Sequence, residues 1–305
     1  MNSIKKMMLS GALGCLISGM AYADGSSPQP VKPYWQDIQV VAVNKEKPRS
    51  SFMSYADRET ALTSRFEKSP YYSLLNGTWK FFFVDSYKDL PQNITDPSVN
   101  TSSWDDITVP GNWEVQGHGV AIYTNHGYEF KPKNPQPPLL PEANPVGVYR
   151  RDIEIPANWD NRDIYLHIGG AKSGLYVYLN GKEVGYSEDS KNPAEFLINK
   201  YLQPGKNVLT LKIFRWSTGS YLECQDFWRM SGIERDVFLW SQPKASIQDF
   251  RVVSTLDDTY TNGIFKLAVD LKNHTQETKN LNVGYELLDA KGNLMASEAN
   301  DIWAV

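Results

Sequence analysis

LYVYLNGKEVGYSEDS, residues 175–190, decides the fold class. Apolar residues alternate on both sides of Asn180-Gly181, and an Asn-Gly pair between two alternating runs is the strongest short-range signal for a two-residue hairpin turn. The second strand then runs into two adjacent carboxylates, Glu188 and Asp189, followed by Pro193 and an apolar Phe196-Leu197-Ile198 anchor. An acidic loop taken alone is usually just solvated, because Asp, Ser and Asn favour turns by bonding nearby backbone.

Around this hairpin, expected over Leu175–Glu188, lie further short alternating segments bounded by Gly, Pro or Asn. They are Thr78–Val84, Ile107–Val109, Val148–Ile155, Asp163–Ile168, Val208–Trp216 and Arg235–Trp240. DRETALTSRF, residues 57–66, has helical spacing and predicts the one short helix. Many short strands and few helices predict an all-β protein, a two-sheet sandwich of jelly-roll type. Residues 28–48 are interrupted by proline and read as an extended arm. Residues 111–147 contain PKNPQPPLLPEANP, which forbids a central strand and makes this long segment a candidate binding surface.

A second set of strands starts near Pro243: Ile247–Ser254, Ile264–Leu271, Leu281–Leu288 and Leu294 onward. The pattern resembles the start of an immunoglobulin-like sandwich, of which 62 residues are present where about 100 are needed. The expected organisation is residues 24–50 as the arm, 51–243 as the jelly roll and 244–305 as an incomplete immunoglobulin-like unit of a longer protein.

Residues 1–23 read as a cleaved secretory signal. Lys5 and Lys6 precede the apolar run Met7–Met20, which is too short to span a membrane, and Ala21-Tyr22-Ala23 offers small residues for cleavage. Ala12-Leu13-Gly14-Cys15 lacks the leucine usual three residues before a lipoprotein cysteine, so export to the periplasm or outside the cell is preferred to a lipid anchor. Without those 23 residues, 282 of the 305 remain and Cys224 is the single cysteine, so burial rather than a disulfide must hold the fold. Losing Lys5 and Lys6 moves the net charge from −4 to −6, leaving no basic face for nucleic acid. No later segment resembles a membrane span. Nine Trp, 17 Tyr and 12 Phe suit a carbohydrate protein, because aromatic faces stack on the C–H faces of sugars, but they suit an aromatic core equally well. The four histidines share no zinc-like spacing. Lys45-Glu46-Lys47 reads as solvent-facing.

Three stretches together resemble the amino-terminal part of the β-galactosidases of glycoside hydrolase family 2. They are PGNWEVQGHGVAIYTNHGYEF (110–130), GYSEDSKNPAEFLINKYLQPGKN (185–207) and RWSTGSYLECQDFWRMSGIERDV (215–237), and the match runs from about Leu74 to about Phe250. The resemblance implies a jelly roll, then an immunoglobulin-like domain, then a (β/α)₈ barrel carrying two catalytic glutamates of a retaining mechanism on β-galactosides. No part of that barrel is in this chain and no Asn-Glu dipeptide occurs in it, so no catalytic residue is expected here. The resemblance assigns Asp189 to a galactose hydroxyl and to a monovalent cation, Na⁺, and Asn125 to the same sugar. Any Mg²⁺ or Ca²⁺ would belong to the barrel. His126, Trp113 and Trp228 are candidate cleft residues, with core packing weighed above sugar contact for both tryptophans. Glu188 is expected to be solvated, and Cys224 has no assigned role. The competing expectations are a stand-alone carbohydrate-binding module and a related exo-glycosidase, a glucuronidase or mannosidase, which the SEDS and YTN stretches argue against.

Overall fold

The structure is a computed structural model and describes residues 32–125, 127–130, 134–223 and 226–304. The expectations for the leader, Cys15, His126 and Cys224 therefore fall outside the described residues.

Two antiparallel sheets form the jelly-roll sandwich. The larger runs in the order β1 (Ala42–Val43), β11 (Lys182–Ser187), β10 (Gly174–Leu179), β13 (Asn207–Phe214), β7 (Val146–Ile153), β3 (Gly77–Val84) and β4 (Asp105–Val109). The smaller runs β12 (Ala194–Leu197), β8 (Arg162–Ile168), β16 (Val237–Pro243) and β2 (Tyr72–Leu74). Alternation along each strand sends one set of side chains between the sheets. Phe81, Tyr149, Val177, Leu209 and Leu211 come from one side, and Leu166, Ile168, Phe196 and Leu239 from the other, all fully buried. Short additional strands join the loops: β5 (Gly111–Asn112) and β9 (Ala171–Lys172) flank β15 (Gly232–Ile233), and β6 (Ile122–Thr124) pairs with β14 (Phe227–Arg229).

The turn of the β10–β11 hairpin is built as its sequence requires. Asn180 and Gly181 both take positive φ, 53° and 77°, the backbone of a turn that matches strand twist. Gly185 allows a close approach, since a Cβ there would meet the carbonyl of Val43 at 2.2 Å. That space admits β1 as an edge strand, with Ala42 opposite Ser187 and Val43 opposite Tyr186. The arm is thus part of the large sheet rather than a free extension, and Trp35 beside it is buried against Phe214 with ring centroids 5.0 Å apart.

The helix is shorter than its pattern suggested, Arg58–Leu62, started by the Asp57 side chain accepting the Thr60 N–H. Ser64 adopts φ 53°, which ends it, and Phe66 turns down to pack near Phe238. This segment covers the outer face of the small sheet, where Met53, Tyr165, Phe238 and Trp240 form a second apolar cluster.

Beyond Pro243 come two antiparallel hairpins of the immunoglobulin-like unit. They are β17 (Ala245–Leu256) with β18 (Gly263–Asn273), and β19 (Lys279–Leu288) with β20 (Leu294–Ala304). Ser50 joins the first hairpin to the arm: its N–H donates to Asp249 at 2.8 Å and its hydroxyl to the carbonyl of Phe250 at 2.7 Å.

A buried ionic group locks the arm to the sandwich. Glu195 accepts from Nε and Nη2 of Arg49, each at 2.9 Å, and from Trp240 Nε1 at 3.1 Å, while His167 Nδ1 lies 2.8 Å away. Burial pushes the Glu195 carboxyl up, but the His167 ring and the Arg49 guanidinium together outweigh it and hold the group below its ordinary 4.5. A carboxyl lowered in the folded state stabilises the fold above its unfolded value and loses that contribution as pH falls through the folded one. The denaturant midpoint should therefore fall as the pH drops below 4.5. Glu195→Gln should cost about 1–3 kcal/mol at neutral pH, because the part-buried Arg49 loses its counter-charge, and should flatten this part of the acid dependence. An unchanged unfolding midpoint would refute the lock.

Candidate functional site

The two carboxylates that end the hairpin have opposite fates. The Glu188 N–H donates to the carbonyl of Val41 at 2.9 Å, continuing the pairing with the arm, and its side chain turns inward. There it accepts from the Tyr186 hydroxyl at 2.7 Å, the Gly219 N–H at 2.6 Å and the Thr218 hydroxyl at 2.9 Å. At 4 % exposure Glu188 is buried, not solvated as expected. Two adjacent acids look alike in sequence, and only the 217–221 turn brought against the hairpin separates them. Burial pushes the Glu188 carboxyl up, and the bonds from Tyr186, Thr218 and Gly219 offset part of that.

At Asp189 the chain turns through a left-handed backbone, φ 75°, uncommon for a residue with a side chain and most tolerated by Asn and Asp. The carboxylate is exposed. Its Oδ2 accepts from Asn192 Nδ2 at 2.8 Å, and among the described residues no donor bonds its other oxygen. The turn is held from behind, where the Ser190 N–H and hydroxyl donate to the two oxygens of Glu223 at 2.7 and 2.6 Å. Lys191 pairs with Glu234, and its ammonium lies 4.4 Å from the Phe227 ring centre.

Asn125 is also exposed, at the end of β6, and its carbonyl accepts the Asp226 N–H at 2.9 Å. Two buried arginines hold this loop by its carbonyls. Arg229 donates to Thr124 at 3.2 Å and to Glu223 at 3.4 Å, and Arg215 donates to Val120 at 2.9 Å and to the carbonyl of Arg229 at 3.0 Å. Both cations have buried carboxylates nearby, Glu129 3.7 Å from Arg229 and Glu114 3.6 Å from Arg215. A multidentate guanidinium suits this task, since its fixed fork reaches several carbonyls at once. Asp189 and Asn125 are thereby joined through one chain of contacts: Ser190 to Glu223, Glu223 to Arg229, Arg229 to Thr124.

Trp228 and Trp113 part company. Trp228 is 52 % exposed on the β6–β14 ribbon, with its ring 5.2 Å from that of Tyr123, itself exposed, so the weight placed on core packing at this position is corrected. The pair offers an aromatic platform of the kind that stacks on a sugar. Trp113 is wholly buried against Phe81 and Phe83, which removes it from the cleft candidates. Tyr123, Glu223, Arg215 and Arg229 were not singled out from sequence; the signal for Tyr123 was its place two residues before Asn125. The histidines inside the described region act structurally: His167 sits beside Glu195, His274 Nδ1 lies 2.7 Å from Asp163, and His118 packs edge-on to Phe81. Of Lys45-Glu46-Lys47 only Lys47 is exposed, correcting that expectation too, because the arm folds back on the sandwich. Among the described residues no three His, Cys, Asp or Glu side chains gather as a metal site.

An antiparallel sandwich whose loops present an exposed carboxylate, an amide and an aromatic pair on a rigid frame has the make-up of a sugar-binding domain. The chain belongs to glycoside hydrolase family 2: residues 72–243 match "Glycosyl hydrolases family 2, sugar binding domain". It is 39% identical over 262 residues to a protein named β-galactosidase from Priestia megaterium, covering 85% of this chain and 25% of that one. A β-galactosidase of Psychromonas ingrahamii is 36% identical over 257 residues, covering 84% and 24%. In three dimensions the chain is similar to a β-glucuronidase of Bacteroides uniformis with a TM-score of 0.61 and 20% identity, over 76% of this chain and 26% of that one. The chain spans about a quarter of the length of the curated relatives it matches.

The opposite placement of the neighbouring acids has a direct test. Glu188→Gln should lower stability by about 1–3 kcal/mol, since a buried acceptor of several bonds is replaced by a group that cannot accept them all. Asp189→Asn should change it by less than about 0.5 kcal/mol, as exposed substitutions do. Equal shifts in thermal midpoint would contradict the burial of one and the exposure of the other.

Proposed function

We propose that this chain is the substrate-loop portion of a β-galactosidase that removes terminal β-linked galactose with retention. The observation that carries the reading is the 39% identity over 262 residues to a named β-galactosidase. The SEDS turn and the YTN loop add to it, since they place one exposed carboxylate and one amide on linked, braced segments. In this reading Asp189 accepts a galactose hydroxyl and supplies one ligand to a monovalent cation, and Asn125 bonds the same sugar. Trp228 and Tyr123 offer a stacking face. The two glutamates of the retaining reaction would come from the longer protein, acting ~5 Å apart as nucleophile and as acid then base. Export through residues 1–23 belongs to the same proposal. The β-glucuronidase names among the fold neighbours do not favour a second reading, because at 20% identity the likeness carries the fold alone.

The 305-residue chain alone should show no hydrolysis of a nitrophenyl galactoside, because binding residues without a nucleophile and an acid cannot divide the reaction into its two steps. In the longer protein, Asp189→Asn should lower kcat/KM by at least ~100-fold, roughly 2.7 kcal/mol, and weaken the dependence on sodium. Asn125→Ala should cost less, since a neutral bond is lost. An Asp189→Asn enzyme within threefold of the parent at all sodium concentrations would sink the assignment.

A further inference from the structure

Where the chain passes from the jelly roll into the immunoglobulin-like unit it borders a cleft of about 710 Å³. The charged side chains of the lining are Arg162, Lys244 and Lys279, joined by His274, and no Asp or Glu is among the lining residues. By contrast, the cavity between the arm and the small sheet sets Glu46, Asp189 and Glu195 against its cations. On a chain whose net charge is −4, a lining of one positive sign runs against the composition. Clefts lined by one sign of charge concentrate ligands of the other.

The basic groups differ in what they have left to give. Arg162 is engaged: Nε donates to the Ser241 hydroxyl at 2.9 Å, Nη2 to the Ser241 carbonyl at 3.1 Å, and the guanidinium lies 3.6 Å from the Tyr71 ring centre. It lends the cleft charge rather than bonds. His274 sets Nδ1 2.7 Å from the buried Asp163, which Lys272 also reaches at 3.1 Å, leaving Nε2. Lys279 pairs with Glu277 at 2.7 Å, and an exposed pair of this kind is weak and exchanges partners readily. Lys244 is half-buried, and among the described residues no hydrogen bond or ion pair occupies its ammonium.

The frame holding these groups is fixed. The Lys244 carbonyl accepts the His274 N–H at 2.8 Å, which keeps the two residues side by side. The turn from His274 to Lys279 is folded on Asn273, whose Oδ1 accepts the Thr275 N–H at 2.9 Å and whose Nδ2 donates to the Glu277 carbonyl at 2.8 Å. Lys244 links β16 to β17 and Lys279 opens β19, so the two ammonium groups come from separate elements.

Charge and shape choose the ligand class. Ammonium donors from two elements, with no carboxylate in the lining, suit a multiply charged group with several acceptor oxygens and disfavour a cation. Pro243, Ala245 and Leu281 add an apolar surface, and the volume lies within the ~300–1,000 Å³ of small-molecule sites.

We propose that this junction cleft binds a phosphate group, free or as the monoester of a small organic molecule. The proposal is independent of the galactoside reading, since neither Asp189 nor Asn125 lines the cleft.

The test titrates the 305-residue chain with inorganic phosphate and with phenyl phosphate at low ionic strength, following heat and the ring resonances of His274. Both should bind saturably with Kd on the order of 1 mM, shift His274 and weaken as NaCl is raised. Tighter binding of phenyl phosphate supports the site with an ester as its ligand, and equal affinities support it with the free ion. Lys244→Gln and Lys279→Gln should each weaken binding at least about fivefold. Lys206→Gln, at an exposed lysine paired with Asp152 outside the cleft, should change it less than about twofold and measures general charge attraction. Lys244→Gln removes no bond within the fold, so a loss there cannot be traced to misfolding. Equal weakening by all three variants, binding without a response at His274, or no saturable binding of either probe overturns the proposal.

Discussion

The register of the β10–β11 hairpin is the constraint on which the remainder depends. Side chains on a strand alternate, so a slip of one residue would exchange every inward and outward position. The Asn180-Gly181 turn and the irregularity between Val177 and Tyr178 set one pairing, with Tyr176 opposite Tyr186 and Leu175 opposite Ser187. In that pairing Tyr186 aims its hydroxyl at Glu188, which is drawn inward, and the next residue is left outside. A slipped hairpin would bury Asp189 without the three donors that make burial of Glu188 tolerable, since a buried charge without partners is costly.

The sandwich has three apolar layers rather than one. Its inner core would suffice for a jelly roll, yet both outer faces are also covered, one by Trp35 and its neighbours and the other by the segment carrying Met53 and Phe66. Arg150 shows how covering segments are held. Its buried guanidinium donates to the carbonyls of Ile94, Asp96 and Val99, so a polar chain end fastens a loop over an aromatic surface. Arg215 and Arg229 repeat this device where the loops carry function. The polar cost of burying three guanidiniums is offset by carbonyls that would otherwise lie unpaired in loops.

The immunoglobulin-like hairpins meet the jelly roll through polar contacts. Asp163 receives Lys272 at 3.1 Å and lies beside His274, while Ser50 reaches Asp249. Buried ion pairs of this sort contribute little net stability, because desolvation opposes attraction, but they permit few alternative placements. Glu195, joined to both Arg49 and His167, has the same character at the arm. The loops that carry Asp189 and Asn125 are therefore braced by polar groups on an apolar frame, so a contact made by either meets a prepared geometry.

Strand identity, the hairpin, the all-β class and the family were legible in the residues themselves, because they depend on local periodicity, turn chemistry and long specific motifs. The helix was overextended because helical spacing says nothing of the left-handed Ser64 that ends it. What sequence left open was every question settled by contacts far apart in the chain. Glu188 and Asp189 are neighbours of the same chemistry, and only Thr218 and Gly219, some thirty residues on, make one structural and one available. Trp113 and Trp228 are the same residue type in two loops, separated by whether Phe81 and Phe83 or solvent lies against the ring. The arm read as an extension because proline and charge dominate it, and its role as edge strand and cavity wall comes from Gly185 leaving room for Val43. A sequence determines which side chains can face a core, but only the assembled sheets decide which of them meets a partner there, since burial is a property of neighbours and not of the residue.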